Sequence, residues 1–381
     1  TSVVLSPGYA ADSTAFVASE GDGIFVSQNR GDSWETLNAG LDQLDIGVLS
    51  ISPGFVADGR LLAASTSGGV WRRTGEAENW QMVLTEPIRI RTFAEYPGVS
   101  GTRVVYAGDA DGRLWRSIDN GRLWEIVHEF AQVGEITSIA VTRGAIWVGT
   151  SANGLYQWTD ARPLFSRVES LQPSRLEDCR GNALEMPIAD QHITSVTASP
   201  DEQRILVTTW FGAVYVSENN GADWEEWGSK LSCDKQADDM FVPHFRKVAF
   251  AAGADGKPVY WLGAFDGLFR VTDYVSDWRQ LETLPLGQIK GMAVTGGEAK
   301  PLVIALATYG GGFYLTDDRG ETWTIGNKGL QTTRLTGISF SPDYFDDGVI
   351  YAGASRRLLR SDDNGQSWQR IDLEKRSFGT R

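Results

Sequence analysis

The sequence predicts an all-β fold, a single β-propeller spanning residues 1–381 in eight four-stranded blades, with seven as the alternative count. Three observations predict it. One eight-residue pattern recurs along the chain. Its tryptophans fall on a near-constant period. Each period holds the same succession of short apolar runs, and four-stranded units repeated at about 45 residues are what a propeller requires.

The pattern is S-x-D-x-G-x-x-W, with Asn allowed for Asp and Thr for Ser. It occurs as SQNRGDSW (27–34), SIDNGRLW (117–124), SENNGADW (217–224), TDDRGETW (316–323) and SDDNGQSW (361–368). Its fixed residues are Asn29 and Trp34, Asp119 and Trp124, Asn219 and Trp224, Asp318 and Trp323, and Asp363 and Trp368. Decayed copies end at Trp80 and Trp278. Trp34 to Trp80 spans 46 residues, Trp80 to Trp124 44, and Trp278 to Trp323 and Trp323 to Trp368 45 each. The 100 residues between Trp124 and Trp224 leave room for one unit without the pattern, at 136–160, plus an insertion.

Within a unit, ITSIAV (136–141), AIWVGT (145–150) and GLYQWT (154–159) read as three strands. Where the pattern survives, its Trp opens a fourth, as in SWQRI (367–371). First strands are predicted to start near Val3, Val48, Ile90, Ile136, Ile193, Phe245, Ile289 and Leu335. The first and last units are both complete, so closure is expected from blade-to-blade packing and not from an exchanged strand.

The pattern lies between third and fourth strands. Its Asp or Asn is suited to accept from backbone N–H groups two residues on. Its Gly supplies a positive φ for a tight hairpin. Its Trp buries a large apolar face, expected against its own blade. A catalytic role for this repeated position would need five equivalent sites, so its Asp and Asn residues read as staples.

These residues resemble the Asp-box, or BNR, repeat of sialidases, xyloglucan-cleaving glycosidases, sortilin-type receptors and photosystem II assembly factors. The resemblance covers essentially the whole chain and implies the propeller fold. It does not choose a function, because the shared residues are the staples. A sialidase-like site implies an arginine triad, a Tyr–Glu pair and an acidic donor. The stretch EPIRIRTF (86–93) has the letters of the family's early tripeptide in another order, and Arg89, Arg91, Arg246 and Arg334 fall at or near inner-strand starts. The xyloglucan-cleaving type implies two propellers clasping a glycan, whereas this is one ring. Glu135, Asp190 and Asp266 are candidate carboxylates, and nothing in the sequence pairs them. The chain contains no nucleophile elbow, HExxH or P-loop.

Composition narrows the partner. With 49 acidic and 35 basic residues the net charge is -14, which argues against binding a nucleic-acid backbone. No apolar run approaches the ~18 residues of a membrane span. Residue 1 is Thr, which leads us to expect a processed form or a piece of a larger polypeptide or complex.

Two insertions, 169–192 and 226–245, fall on loops linking blades 4 to 5 and 5 to 6, on one face together with the second-to-third strand turns. Each holds one cysteine and ends at a histidine before an inner strand: Cys179 with His192, and Cys233 with His244. A disulfide between Cys179 and Cys233, two free thiols, and a Cys2His2 zinc site from separate loops are the three readings these residues allow. No metal or other cofactor is part of the expected site, and an extracellular or periplasmic location is favoured over the cytoplasm. The second-to-third turns of this sector are aromatic, at TTWFGA (208–213), GAFDGL (263–268) and ATYGGG (307–312). The candidate ligand- or partner-binding set is therefore Trp210, Phe211, Phe265, Asp266, Tyr309, His192 and His244. Arg89, Glu135, Gln288, Arg246 and Arg334 complete a mixed-charge rim. The expected function is non-catalytic recognition of a protein or peptide on this face; the alternative is a carbohydrate-binding or glycoside-hydrolase propeller using the aromatics. Packing of the same rings beneath the insertions is the competing structural reading.

Overall fold

The computed structural model describes residues 2–19, 21–75, 79–85, 87–98, 102–169, 171, 176–177, 183–184, 192–199, 202–210, 214–227, 245–252, 258–264, 267–271, 279–280, 288–296, 300–354 and 357–371. These form eight four-stranded antiparallel sheets, each built from four consecutive strands. Their first strands are Ser2–Leu5, Ile46–Ile51, Ile90–Pro97, Ile136–Thr142, Ile193–Ala198, Phe245–Ala252, Gln288–Thr295 and Leu335–Phe340, which open blades 1 to 8. Every one lies within two residues of its expected start. The unit without the pattern still builds a whole sheet, from Ile136–Thr142 through Ala145–Thr150 and Leu155–Thr159 to Arg162–Arg167. Insertion 169–192 contributes a short hairpin, Leu176–Glu177 paired with Ala183–Leu184. Among the described residues no helix is long and apolar enough to cross a membrane.

Second strands explain their own composition. Ala15–Ser19, Leu61–Ser65, Ile205–Thr209 and Ile350–Ala354 are buried at every position, so they read as continuous apolar or small runs without alternation. First strands carry a register shift just after their first residue in blades 2, 4, 5, 6 and 8, at Ile46/Val48, Ile136/Ser138, Ile193/Ser195, Phe245/Lys247 and Leu335/Gly337. A bulge at this point bends the strand where the chain enters the blade.

The chain divides into two compact units. One comprises Thr1–Ile90, Gly121–Leu123 and Lys290–Arg381, the other Arg91–Asn120 and Trp124–Ile289. In the first unit blades 8 and 1 pack side by side, each with its own four strands. Tyr9 and Tyr351, both essentially buried, join hydroxyls at 2.8 Å. The Tyr351 hydroxyl donates to the Arg30 carbonyl, so Tyr9 is the donor to Tyr351. Arg360 of blade 8 pairs with Asp32 of blade 1, and Arg30 reaches Asp343 at 3.5 Å.

The repeated turn differs from its expected chemistry in two respects. First, the Asp or Asn oxygen accepts from the backbone N–H four residues on, not two: Ser33 to Asn29 at 3.0 Å, Asp223 to Asn219 at 2.9 Å, Thr322 to Asp318 at 2.9 Å and Ser367 to Asp363 at 2.8 Å. The opening Ser or Thr hydroxyl takes the Gly N–H instead, as in Gly31 to Ser27 at 2.7 Å and Gly365 to Ser361 at 2.8 Å. The residue before the Gly shares its positive φ, at Arg30, Asn120, Asn220, Arg319 and Asn364. Two left-handed residues in succession leave the nearer N–H groups aimed at the hydroxyl.

Second, the Trp is not confined to its own blade. Trp224 meets Trp147 of blade 4 edge-on at 5.5 Å, and Trp368 meets Phe313 of blade 7 at 4.9 Å. Trp34 shares a cluster with Val349, Tyr351 and Leu358 of blade 8. In these three copies the pattern is thus a latch onto the preceding blade. Its glycine is required for the same reason: a Cβ at Gly365 would lie 2.1 Å from the Phe313 ring, and one at Gly221 1.8 Å from Trp147.

The other half of the latch is a repeat that the tryptophan pattern hid. NAGL (38–41) and NKGL (327–330) each follow a fourth strand. The Asn38 carbonyl oxygen accepts from Ile24 N–H at 2.7 Å and its amide donates to Asp22 O at 3.0 Å. Asn327 repeats this with Phe313 N–H and Gly311 O, both at 2.9 Å. The loops so fixed receive the next blade's Trp: Trp80 N–H donates to Ala39 O and its Nε1 to Leu37 O, while Trp368 N–H donates to Lys328 O and its Nε1 to Gly326 O. Trp80 therefore latches fully although its pattern has decayed.

A third repeat, SPGYAAD (6–12), SPGFVAD (52–58) and SPDYFDD (341–347), shapes the first-to-second strand loops of blades 1, 2 and 8. In each, the Ser hydroxyl donates to the closing Asp, at 2.6–2.7 Å.

Candidate functional site

The candidate site grows from one register position. Ile46, Ile90, Ile136, Ile193, Ile289 and Leu335 are each at most 4% exposed as they enter their blades. Strand alternation turns the preceding residue the other way. Those residues are Asp45, Arg89, Glu135, His192, Gln288 and Arg334, a set the sequence reading named apart from Asp45.

In the first unit, Tyr309 ends the second strand of blade 7, Val303–Tyr309, and forms a bridge with Arg334 at the entry to blade 8. The N–H groups of Gly310 and Gly312 both donate to Thr333 O, at 2.9 and 3.1 Å, which ties the turn to the incoming loop. Tyr309 is 43% exposed. The Arg334 guanidinium lies 5.2 Å from its ring centre and the Lys290 ammonium 5.7 Å. Lys290, two residues beyond Gln288 on the first strand, was missed by the sequence reading although its alternation with Gln288 was visible. Arg89 is exposed at the entry to blade 3.

Asp45 is held differently. It takes hydroxyl hydrogen bonds from Ser67, Ser65 and Thr66 of its own blade's turn. Partial burial works to raise its pKa, but these hydroxyls prevail and hold it at about 2. It is a fixed carboxylate that braces the turn.

In the second unit, His192 stacks on Trp210 with ring centres 5.2 Å apart and planes 18° from parallel, and Trp210 N–H donates to His192 O at 2.8 Å. Both rings are half-buried. Glu135 pairs with Arg91 of the preceding first strand at 2.6 Å, both about two-fifths exposed. The Arg91 guanidinium thus occupies the Glu135 carboxylate.

Structure thus brings together Tyr309 with Arg334, and His192 with Trp210. Phe211, Phe265, Asp266, His244, Asp190, Cys179, Cys233 and the side chain of Arg246 lie outside the described residues, and with them the disulfide, thiol and zinc readings. Among the described residues no group of three or more His, Cys, Asp or Glu side chains could hold a metal ion.

Two of the repeated-turn carboxylates are tied into their own turns. Burial works to raise Asp318, but the hydroxyl and N–H of Thr322 and the Thr316 hydroxyl hold it at about 2. Asp363 is lowered in the same way, against burial, by Ser367 and Ser361. At about 2, the Asp318 carboxyl holds no proton to donate near neutral pH.

No family model and no curated protein matches the chain. Among solved structures, the computationally designed Ika8 protein is similar at a TM-score of 0.55, with 12% identity over 87% of this chain and 86% of that one. The fold is a β-propeller. YCF48 from Cyanidioschyzon merolae resembles the propeller at a TM-score of 0.52, with 15% identity over 83% of this chain and 92% of that one. The GH74 enzyme of Niastella koreensis matches 97% of the propeller and 71% of its own chain at 13% identity and a TM-score of 0.37. At these identities the likeness is one of fold, and it rests on the first two.

Proposed function

We propose that this propeller is a non-catalytic recognition module that binds a protein or peptide segment across its second-to-third strand turns and blade-entry loops. The observation that carries the reading is Tyr309: a large ring, 43% exposed, fixed by the hydrogen bonds of its turn and flanked by two cations. An aromatic held rigid at a loop tip gives contact area at little entropic cost, as binding hot spots do. The Arg91 pairing of Glu135 and the strongly acidic turn aspartates favour binding over hydrolysis.

A second reading, carbohydrate binding, draws on Trp210, whose flat ring suits a sugar face. His192 already covers one side of that ring, which leaves at most one face for a ligand.

Selection of a phage-displayed random peptide library on the whole chain, beside a glycan array, separates the two. The proposal expects retained peptides that Tyr309→Ala no longer retains. Glycan signals lost in Trp210→Ala, with no peptide enrichment, would replace it with the second reading.

A further inference from the structure

The chemistry around Tyr309 specifies its partner further. The chain is acidic overall, at -14, yet two cations converge on this one exposed ring. Among the described residues no carboxylate pairs with Arg334, which is exposed. Elsewhere in the same unit an arginine at an exposed seam finds an acid, as Arg360 does with Asp32 and Asp362 and Arg30 with Asp343. At the entry to blade 4 the equivalent position is itself an acid, Glu135, with Arg91 on it. A cation over an exposed ring is held only weakly, and a second on the same ring is opposed by the first.

Space beside the ring is open. A Cβ built on Gly310 meets nothing within 4 Å, so a chain can lie against this backbone. The inner strands close up behind it: Gly291 and Gly337 approach so nearly that a Cβ on Gly291 would lie 2.8 Å from the Gly337 Cα. The backbone beside Tyr309 is thus open at Gly310, with closely packed strands at Gly291 and Gly337.

We infer that Tyr309, Arg334 and Lys290 form a carboxylate-binding site, which takes an Asp or Glu side chain of an extended acidic peptide. The guanidinium offers a paired N–H fork to the carboxylate, the ammonium a second charge, and the phenol a hydroxyl donor and a flat face for the peptide's neighbouring atoms. At physiological salt the Debye length is about 8 Å, so these local charges outweigh the distant acidic surface. This inference rests on the recognition reading and narrows it.

The test uses the whole chain and three immobilised peptide pools of equal length, one rich in Asp and Glu, one neutral and one rich in Lys, with a phosphoserine-substituted pool beside them. Wild type is compared with Arg334→Gln, Arg334→Lys and Arg370→Gln, the last removing the same charge from the exposed outer strand of blade 8. The inference predicts retention of the acidic pool, at least about tenfold weaker in Arg334→Gln, partly kept in Arg334→Lys and unchanged in Arg370→Gln. Equal losses in Arg334→Gln and Arg370→Gln would reduce the effect to general charge and overturn it. Preference for the phosphoserine pool would replace carboxylate by phosphate. Retention of the neutral or basic pool, lost in Tyr309→Ala, would sink the carboxylate site and leave recognition standing. No retention of any pool would remove both. Melting temperatures of the variants, expected unchanged, exclude misfolding.

Discussion

The indole Nε1–H of Trp368 donates to the carbonyl of Gly326 at 2.7 Å, and Gly326 belongs to the preceding blade. The ring itself is 3% exposed and packs edge-on against Phe313 of that blade. One side chain thus contributes both apolar burial and a hydrogen bond across a seam. Trp368→Ala should destabilise by ~3–5 kcal/mol, as for other large buried aromatics. Trp368→Phe keeps a ring but strands the Gly326 carbonyl, at about 1–3 kcal/mol. Denaturant titration measures both; a Trp368→Ala variant as stable as wild type would refute the latch.

The latch glycine makes a sharper comparison. Gly221 has φ +83, and a Cβ there would meet the Trp147 ring at 1.8 Å. Gly21 has φ +98, and a Cβ there would meet nothing within 4 Å. Gly21→Ala should cost only the backbone term, about 1–2 kcal/mol. Gly221→Ala adds overpacking against a buried indole, for a total of about 2–5 kcal/mol. Equal losses would mean that the preceding blade does not press on the turn.

Acid sensitivity follows from the same turns. Asp318 is held at about 2 against an ordinary value of 3.8. A carboxylate depressed in the folded state stabilises it above the unfolded value, and that contribution is lost as pH falls from about 4 towards 2. Asn already fills this position at residues 29 and 219 with the same N–H partner four residues on. Asp318→Asn should therefore keep the turn and flatten the stability profile between pH 4 and 2. A profile as steep as wild type would place the acid transition elsewhere.

His128 gives a second pH handle, on the seam between blades 3 and 4. Its ring lies 4.4 Å from Phe130 and 5.0 Å from Phe165, centre to centre. Phe165 is on the fourth strand of the blade that lacks the Trp latch, so this aromatic cluster serves in its place. Burial lowers the imidazole pKa from 6.5. For a base depressed on folding, stability is fully present above 6.5 and declines as pH falls through 6.5 towards the lowered value, because the unfolded chain takes up the proton first. His128→Leu should remove that slope, as followed by thermal melts between pH 7.5 and 5.

Tyr309 and Trp210 should part company. Tyr309→Ala removes an exposed ring and should change stability by under about 1 kcal/mol. Trp210→Ala breaks the stack on His192 and should cost more. Thermal melts of the pair decide whether Tyr309 is surface or core; a large loss at Tyr309 would assign it to the core.

Blade boundaries were legible because a constant Trp spacing and glycine-bearing turns are local signals. What the Trp touches was not, since a period gives spacing and leaves the partner open; that Trp368 faces Phe313 needs the third dimension. The Asn38 and Asn327 loops were visible as NAGL and NKGL, but only two copies exist and they lack an aromatic to draw the eye. At the candidate site, the register position before each inner strand was readable because a buried residue follows it. Asp45 shared that register and was overlooked, and Lys290 was hidden among ordinary surface lysines because only the fold brings it to Tyr309.

The most direct measurement is a fluorescence-polarisation titration of the best-retained acidic peptide against wild type, Tyr309→Ala and Arg334→Gln. Recognition at this site predicts a Kd raised at least about tenfold in both variants with melting temperatures unchanged. Wild-type Kd in both would contradict it and move the function away from the blade 7 to 8 turn.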